Sequence, residues 1–77
     1  MKFKVGDVTI SKINGNIYII QSISNFHYNV LFWGAIIDEQ FIECNNISNQ
    51  EIAMFDRSCR KYTDKEVNQL HKLMVFK

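Results

Sequence analysis

Apolar and polar residues alternate through the first half of the chain, and apolar residues return at helical spacing near its end. Two runs dominate: Ile17-Tyr18-Ile19-Ile20-Gln21-Ser22-Ile23 and Tyr28-Asn29-Val30-Leu31-Phe32-Trp33-Gly34-Ala35-Ile36-Ile37, divided by Ser24-Asn25-Phe26-His27. Residues branched at Cβ and aromatics fit a pleated, half-buried surface, so these runs predict neighbouring antiparallel strands. An earlier strand is expected from Val8 to Ile13, joined to the next by Asn14-Gly15. That dipeptide suits a type I′ turn, which needs positive φ at both central residues. A two-residue loop would set Ile13 against Asn16, Lys12 against Ile17 and Ile10 against Ile19. Val8, Ile10, Ile17, Ile19 and Ile23 would then share the core face, and Thr9, Ser11, Tyr18, Ile20 and Ser22 the opposite one.

The third strand, Tyr28 to Trp33, is apolar on both sides, with Val30 and Phe32 on one and Leu31 and Trp33 on the other. Such a strand needs cover on both faces. Gly34-Ala35 reads as a turn or a bulge. Ile36-Ile37 continues the sheet, Asp38-Glu39-Gln40 turns, and Phe41-Ile42-Glu43 forms a short last strand before Asn45-Asn46 ends the sheet. Ser48-Asn49-Gln50-Glu51 has the form of a capping box and predicts a short helix over 48–56, with Ile52 and Phe55 inward. Thr63-Asp64-Lys65-Glu66 is a second capping box, with acids where the helix dipole favours them, and predicts a helix over 63–76. Its stripe of Val67, Leu70, Leu73 and Met74 matches the cover that the third strand requires. Docking of that stripe on a second copy, giving a homodimer, is the other way to bury it.

A chain of 77 residues is one domain, and at this size only about 60% of the unfolded surface is buried on folding. Cys44 and Cys59 permit at most one disulfide. No apolar leader follows Met-Lys-Phe-Lys, and no run reaches membrane-spanning length, so a cytoplasmic location with two reduced thiols and no membrane partner is expected. The net charge of +1 hides an asymmetry: +4 from Arg57 onward against −3 before it. Eleven Ile and eight Asn beside two Ala and no Pro suggest AT-rich coding. In length and bias the chain resembles orphan proteins of phages and mobile elements in low-GC bacteria.

Phe3-Lys4-Val5-Gly6-Asp7-Val8 resembles the opening of SH3-like barrels of the KOW and Tudor kind, in which a hydrophobic-x-Val-Gly-Asp-x-Val stretch leads into the first of several short antiparallel strands. The likeness covers residues 3–43 in strand order and the first six in motif. It implies an α+β fold: a small, partly open antiparallel barrel of four or five strands within residues 1–45, followed by the short helix and the C-terminal helix. In Tudor domains an aromatic cage binds methylated side chains, but Tyr18, Phe26, Tyr28 and Trp33 do not follow a cage spacing.

Candidate chemistry is sparse. Cys44, Cys59, His27 and His71 lack the paired spacing of a zinc site. No glycine-rich turn flanks either cysteine, and with glycine only at 6, 15 and 34 a phosphate-cradling loop is missing. Asp38, Glu39 and Glu43 read as a solvated turn. The expectation is therefore a non-enzyme without cofactor or metal. Two surfaces remain. Phe26, Tyr28, Leu31 and Trp33 form a candidate protein-binding face, since aromatic anchors dominate interface energetics. Arg57, Arg60, Lys61 and Tyr62, with Lys65 and Lys72, form a candidate nucleic-acid surface, bases interleaved with an aromatic. The first predicts stoichiometric binding to a larger host or phage protein, such as inhibition of a host defence or replication factor; the second predicts a nucleic-acid-binding module.

Overall fold

A computed structural model describes the backbone of residues 1–75 and the side chains of 1–73. The element order is β1 (Val8–Ser11), β2 (Asn16–Ile23), β3 (His27–Ile37), β4 (Gln40–Glu51), α1 (Ile52–Ser58), β5 (Cys59–Lys61) and α2 (Asp64–Val75). The strands form one antiparallel five-stranded sheet in the order β4-β3-β2-β1-β5, so the fold is α+β with an open sheet. The predicted end of the last helix at residue 76 and the side chain of Met74 lie outside the described residues. Among those residues no helix is long and apolar enough to cross a membrane.

The chain enters the sheet through a turn at Lys4–Asp7. Gly6 takes φ 91°, Asp7 N–H donates to Lys4 O at 3.0 Å, and the Asp7 carboxylate accepts from Lys4 N–H at 3.1 Å. A Gly-Asp step turns the chain here because glycine carries positive φ without a Cβ clash.

The Asn14-Gly15 turn is not the predicted type I′ turn, for neither residue has positive φ. Val8 pairs with Ile19, Thr9 with Tyr18 and Ile10 with Ile17, a register two residues away from the expected one. β1 stops at Ser11, whose hydroxyl accepts from the N–H of Ile13 (3.2 Å) and Asn14 (3.4 Å), and the Asn14 side chain accepts from Asn16 N–H at 3.0 Å. Side-chain-to-backbone bonds of this kind replace the tight hairpin by a longer loop. Gly15 is needed for space: a Cβ there would fall on the Ile36 carbonyl oxygen, and the Gly15 carbonyl accepts from Ile36 N–H at 2.9 Å. A shift of two preserves which side chains share a face.

Both faces of the sheet are core, as expected for the third strand but not for the first hairpin, where a single core face was expected. On one face Ile20, Tyr28 and Val30 pack with Phe3, Phe55 of α1 and Cys59, joined by Tyr18, Ile23 and Ile52. On the other, Ile17 and Phe41 pack with Tyr62 and Leu70, joined by Val8, Ile10, Trp33, Ile36 and Val67. Ile23 changes face because a bulge at Gln21 interrupts the β2–β3 register between Ile20↔Val30 and Ser22↔Asn29. β3 is apolar on both sides as expected, and α2 covers the Trp33 side through Val67 and Leu70. Gly34 sits beside a bulge inside a continuous strand. Trp33 is the extra residue against β2, and Cys44-Asn45 bulge opposite it in β4, with Asn45 at φ 60°. A Cβ at Gly34 would meet the Ile42 carbonyl oxygen and the Phe41 ring at 2.6 Å.

The first predicted capping box is absent. Residues 48–51 continue β4, with Ser48 opposite Val30 and Asn49 opposite Asn29, their amide side chains 3.0 Å apart; Glu51 precedes α1 without a side-chain cap bond. Pairing along an eleven-residue β3 outweighs the local capping preference. The second capping box forms: Thr63 Oγ1 accepts from Glu66 N–H at 3.3 Å, and the Glu66 carboxylate accepts from Thr63 N–H at 3.0 Å. β5 is a three-residue strand pairing with β1, too short to carry a periodicity that the sequence would show.

The tight turn of the molecule is Asp38-Glu39, flanked by the pair Ile37↔Gln40, with φ 52° and 63°. Both central residues have the positive φ of a type I′ turn, which Asp38 tolerates and Glu39 resists. Glu39→Gly should raise the melting temperature by about 4–8 °C, the equivalent of roughly 1 kcal/mol in a domain of this size. An unchanged or lowered value in thermal unfolding would show that the turn carries no such strain.

Candidate functional site

The turn between β2 and β3 is closed at its base by Ser24, whose N–H and hydroxyl donate to the His27 carbonyl at 2.9 and 3.2 Å. At its tip the Phe26 carbonyl accepts from Ile52 N–H at 2.9 Å. That N–H is one of the orphan donors at the start of α1, so the turn supplies the cap that Glu51 does not. With its backbone committed to the helix, Phe26 points its ring outward and is 73% exposed. Beside it opens a concavity of about 530 Å³ lined by the apolar Met1, Phe26, Ile52 and Ala53 and by the polar Asn25, His27, Glu51 and Asp56. His27 and Glu51 are cross-strand partners.

Asp56 is fixed from beneath. It accepts from the Tyr28 hydroxyl at 2.6 Å and from Lys2 N–H at 3.1 Å, while the Tyr28 oxygen accepts from the N–H groups of Lys2 and Phe3, both at 3.2 Å. Burial, reinforced by the bond to Asp56, raises the Tyr28 phenol above its ordinary value.

The predicted protein-binding residues do not form one surface. Tyr28 is 0% exposed and cannot reach a partner, because its ring fills the core beneath α1 and its hydroxyl ties three segments together. Leu31 and Trp33 lie on the α2 side of the sheet, half-buried; Trp33 packs 5.2 Å from Phe41 and 6.0 Å from His71, ring to ring. Phe26 alone stands free at a concavity. Its neighbours Glu51, Ile52, Ala53 and Asp56 were not singled out, since residues 48–51 read as a helix cap. The one available signal was Phe26 itself, a large apolar residue in a polar turn.

The predicted nucleic-acid residues are also divided. Tyr62 is only 8% exposed and belongs to the α2 core, so it offers no face for base stacking. Arg60 grips Glu66 with two bonds of 2.8 and 3.0 Å, and Lys61 lies 3.8 Å from Asp7. Arg57, Lys65 and Lys72 are exposed.

Cys44 is exposed, because it sits at the β4 bulge; Asn46 donates to its sulfur at 3.1 Å. Cys59 is buried, and burial pushes its thiol up to about 11. Among the described residues no three His, Cys, Asp or Glu side chains converge on a metal position. In comparisons with known proteins, no family model matches the chain, and no curated protein or solved structure is significantly similar to it.

Two outcomes follow from these environments. Iodoacetamide should label Cys44 alone in the native protein and both thiols after denaturation. Two rapid native labels, or none after denaturation without reductant, would contradict the separation. The Arg60 guanidinium and the Thr63 N–H hold the Glu66 carboxyl at about 2, below its ordinary 4.5. A depressed carboxyl contributes stability above its ordinary value and loses it as the pH falls from about 4.5 toward 2. The pair is partly solvated, so the effect is modest. The melting-temperature gap between wild type and Glu66→Gln should be open at pH 6 and close across that window. A gap independent of pH would place the contribution elsewhere.

Proposed function

We propose that this chain is a non-enzymatic binding protein that acts by stoichiometric contact with a larger protein through the concavity beside Phe26. The observation that carries the reading is an exposed aromatic at the mouth of a concave, partly apolar site whose carboxylates, Glu51 and Asp56, lie beside Ile52 and Ala53. Aromatic anchors and the pockets they flank concentrate binding energy at interfaces. The exposed Glu51 suits a partner that presents a base next to an apolar side chain, while Asp56 is already held by Tyr28 and Lys2.

The chain's Ile- and Asn-rich, Ala-poor composition supports an origin in a phage or mobile element of a low-GC bacterium, and inhibition of a host defence or replication factor is the role we assign to such a protein. A kinship with SH3-like barrels is supported by the Val5-Gly6-Asp7 turn, the four-stranded meander and the return of β5 to β1, although β4 and β5 stay apart as the two edges of the sheet. The nucleic-acid alternative would rest on Arg57, Lys65 and Lys72, with Arg60 engaged by Glu66 and Tyr62 buried.

The immobilised chain should retain a protein from a low-GC bacterial lysate with or without nuclease and in high salt. Phe26→Ala should weaken that retention about thirtyfold while leaving the melting temperature unchanged. Retention that disappears with nuclease, or falls steeply with salt and not with Phe26→Ala, would replace this reading by the nucleic-acid one.

A further inference from the structure

We infer that the outer edge of β4, over Asn46–Glu51, is a strand-addition site for an extended basic segment of another protein. The seam shares Glu51 with the Phe26 concavity but is argued from the backbone edge and not from that site. Among the described residues β4 has a neighbouring strand on one side only, and at twelve residues it is the longest strand of the sheet. From Phe32↔Asn46 to His27↔Glu51 its pairing with β3 is regular, so the far side presents a regular row of backbone donors and acceptors.

The two edges of the sheet differ in how they are protected. β5 is three residues long, carries Arg60 and Lys61, and leads directly into α2. Shortness and basic side chains are the usual guards of an edge. β4 has neither, and no proline. Its only interruption is the bulge at Cys44-Asn45, upstream of the regular stretch. Ile47, 61% exposed, adds an apolar contact along the seam.

Charge selects the occupant. The one charged side chain of the seam is the acid Glu51, and residues 36–56 add Asp38, Glu39 and Glu43 at the exposed turn and upstream strand and hold no base. A second copy would add a strand that carries only acids, Glu43 and Glu51, and so nothing to complement Glu51. A strand bearing lysine or arginine meets Glu51 with opposite charge, and cross-strand pairs of opposite charge stabilise a sheet.

The probe is a synthetic octapeptide, Lys-Val-Lys-Thr-Lys-Val-Lys-Thr, titrated into the full chain and followed by amide hydrogen exchange and NMR shifts. Binding should slow exchange along Asn46–Glu51 and leave β5 unaffected. A bound strand uses one of its edges, so of two versions N-methylated on alternate residues, one should bind at least tenfold more weakly and the other should not. The Glu-for-Lys peptide should bind at least tenfold more weakly than the probe. An Ile47→Lys/Asn49→Lys variant should lose the probe by a similar factor; should that variant unfold, the methylated pair decides on the wild-type chain. Equal binding of both methylated versions, or shifts centred away from β4, overturns strand addition. Equal binding of the acidic peptide overturns the choice of a basic partner. Protection of Asn46–Glu51 in the protein alone, with a dimer in sedimentation, makes a second copy the occupant and overturns the proposal.

Discussion

β3 sets the terms for the rest of the molecule, because it is apolar on both faces and neither face can be left in water. Tyr28 and Val30 require one cover, which Phe3 and Phe55 of α1 provide; Trp33 and Ile36 require another, which Val67 and Leu70 of α2 provide. The dependence runs both ways. Helices of seven and twelve residues are marginal in isolation and gain their stability from the sheet they cover. Each large apolar side chain buried in this way contributes about 1.5–3 kcal/mol, so either cover is comparable to the whole net stability of a domain this small.

Polar contacts then fix where the covers sit. The Tyr28 hydroxyl gathers the N–H groups of Lys2 and Phe3 and the carboxylate of Asp56, joining the first residues, β3 and α1 at one oxygen. α1 has no side-chain cap of its own and is held at both ends by distant groups. The Phe26 carbonyl serves its first N–H, and at its other end Lys2 Nζ reaches the carbonyls of Asp56 and Cys59 while Lys12 Nζ reaches that of Arg57. Lysines there also meet the negative end of the helix dipole. The same arrangement turns Phe26 out of the fold, which links the packing of β3 to the surface proposed for binding.

Charge is segregated along the sheet as it is along the chain. The acidic stretch of residues 36–56 forms the turn after β3, the β4 edge and most of α1, whereas Arg60 and Lys61 sit on the opposite edge and are largely met by Glu66 and Asp7. The basic excess of the C-terminal third is thus partly met within the molecule, whereas Asp38, Glu39, Glu43 and Glu51 are exposed along β4 and the turn before it, and Asp56 is held by Tyr28 and Lys2.

What the sequence determined by itself were the features that depend on short-range patterns. β2 and β3 follow from runs of β-branched and aromatic residues, the doubly buried character of β3 from its composition, the Gly6 turn from Gly-Asp, and α2 from Thr63 and Glu66, whose reciprocal bonds lie three residues apart. The Phe26 turn was visible as an apolar residue among polar ones. Other features were decided only by the tertiary structure, because they are settled by competition between distant groups. Ser48–Glu51 has the local form of a helix cap, yet β3 offers it a full row of backbone partners, and strand pairing wins. Asn14-Gly15 suits a tight hairpin, yet the close approach of Ile36 and the bonds of Ser11 and Asn14 favour a longer loop, and the type I′ backbone appears instead at Asp38-Glu39. Tyr28 and Tyr62 carry the same side chain as a binding aromatic would, and only their position under a helix consigns them to the core. A pattern of residues specifies which groups must be buried or paired; which partner each one finds is a property of the assembled chain.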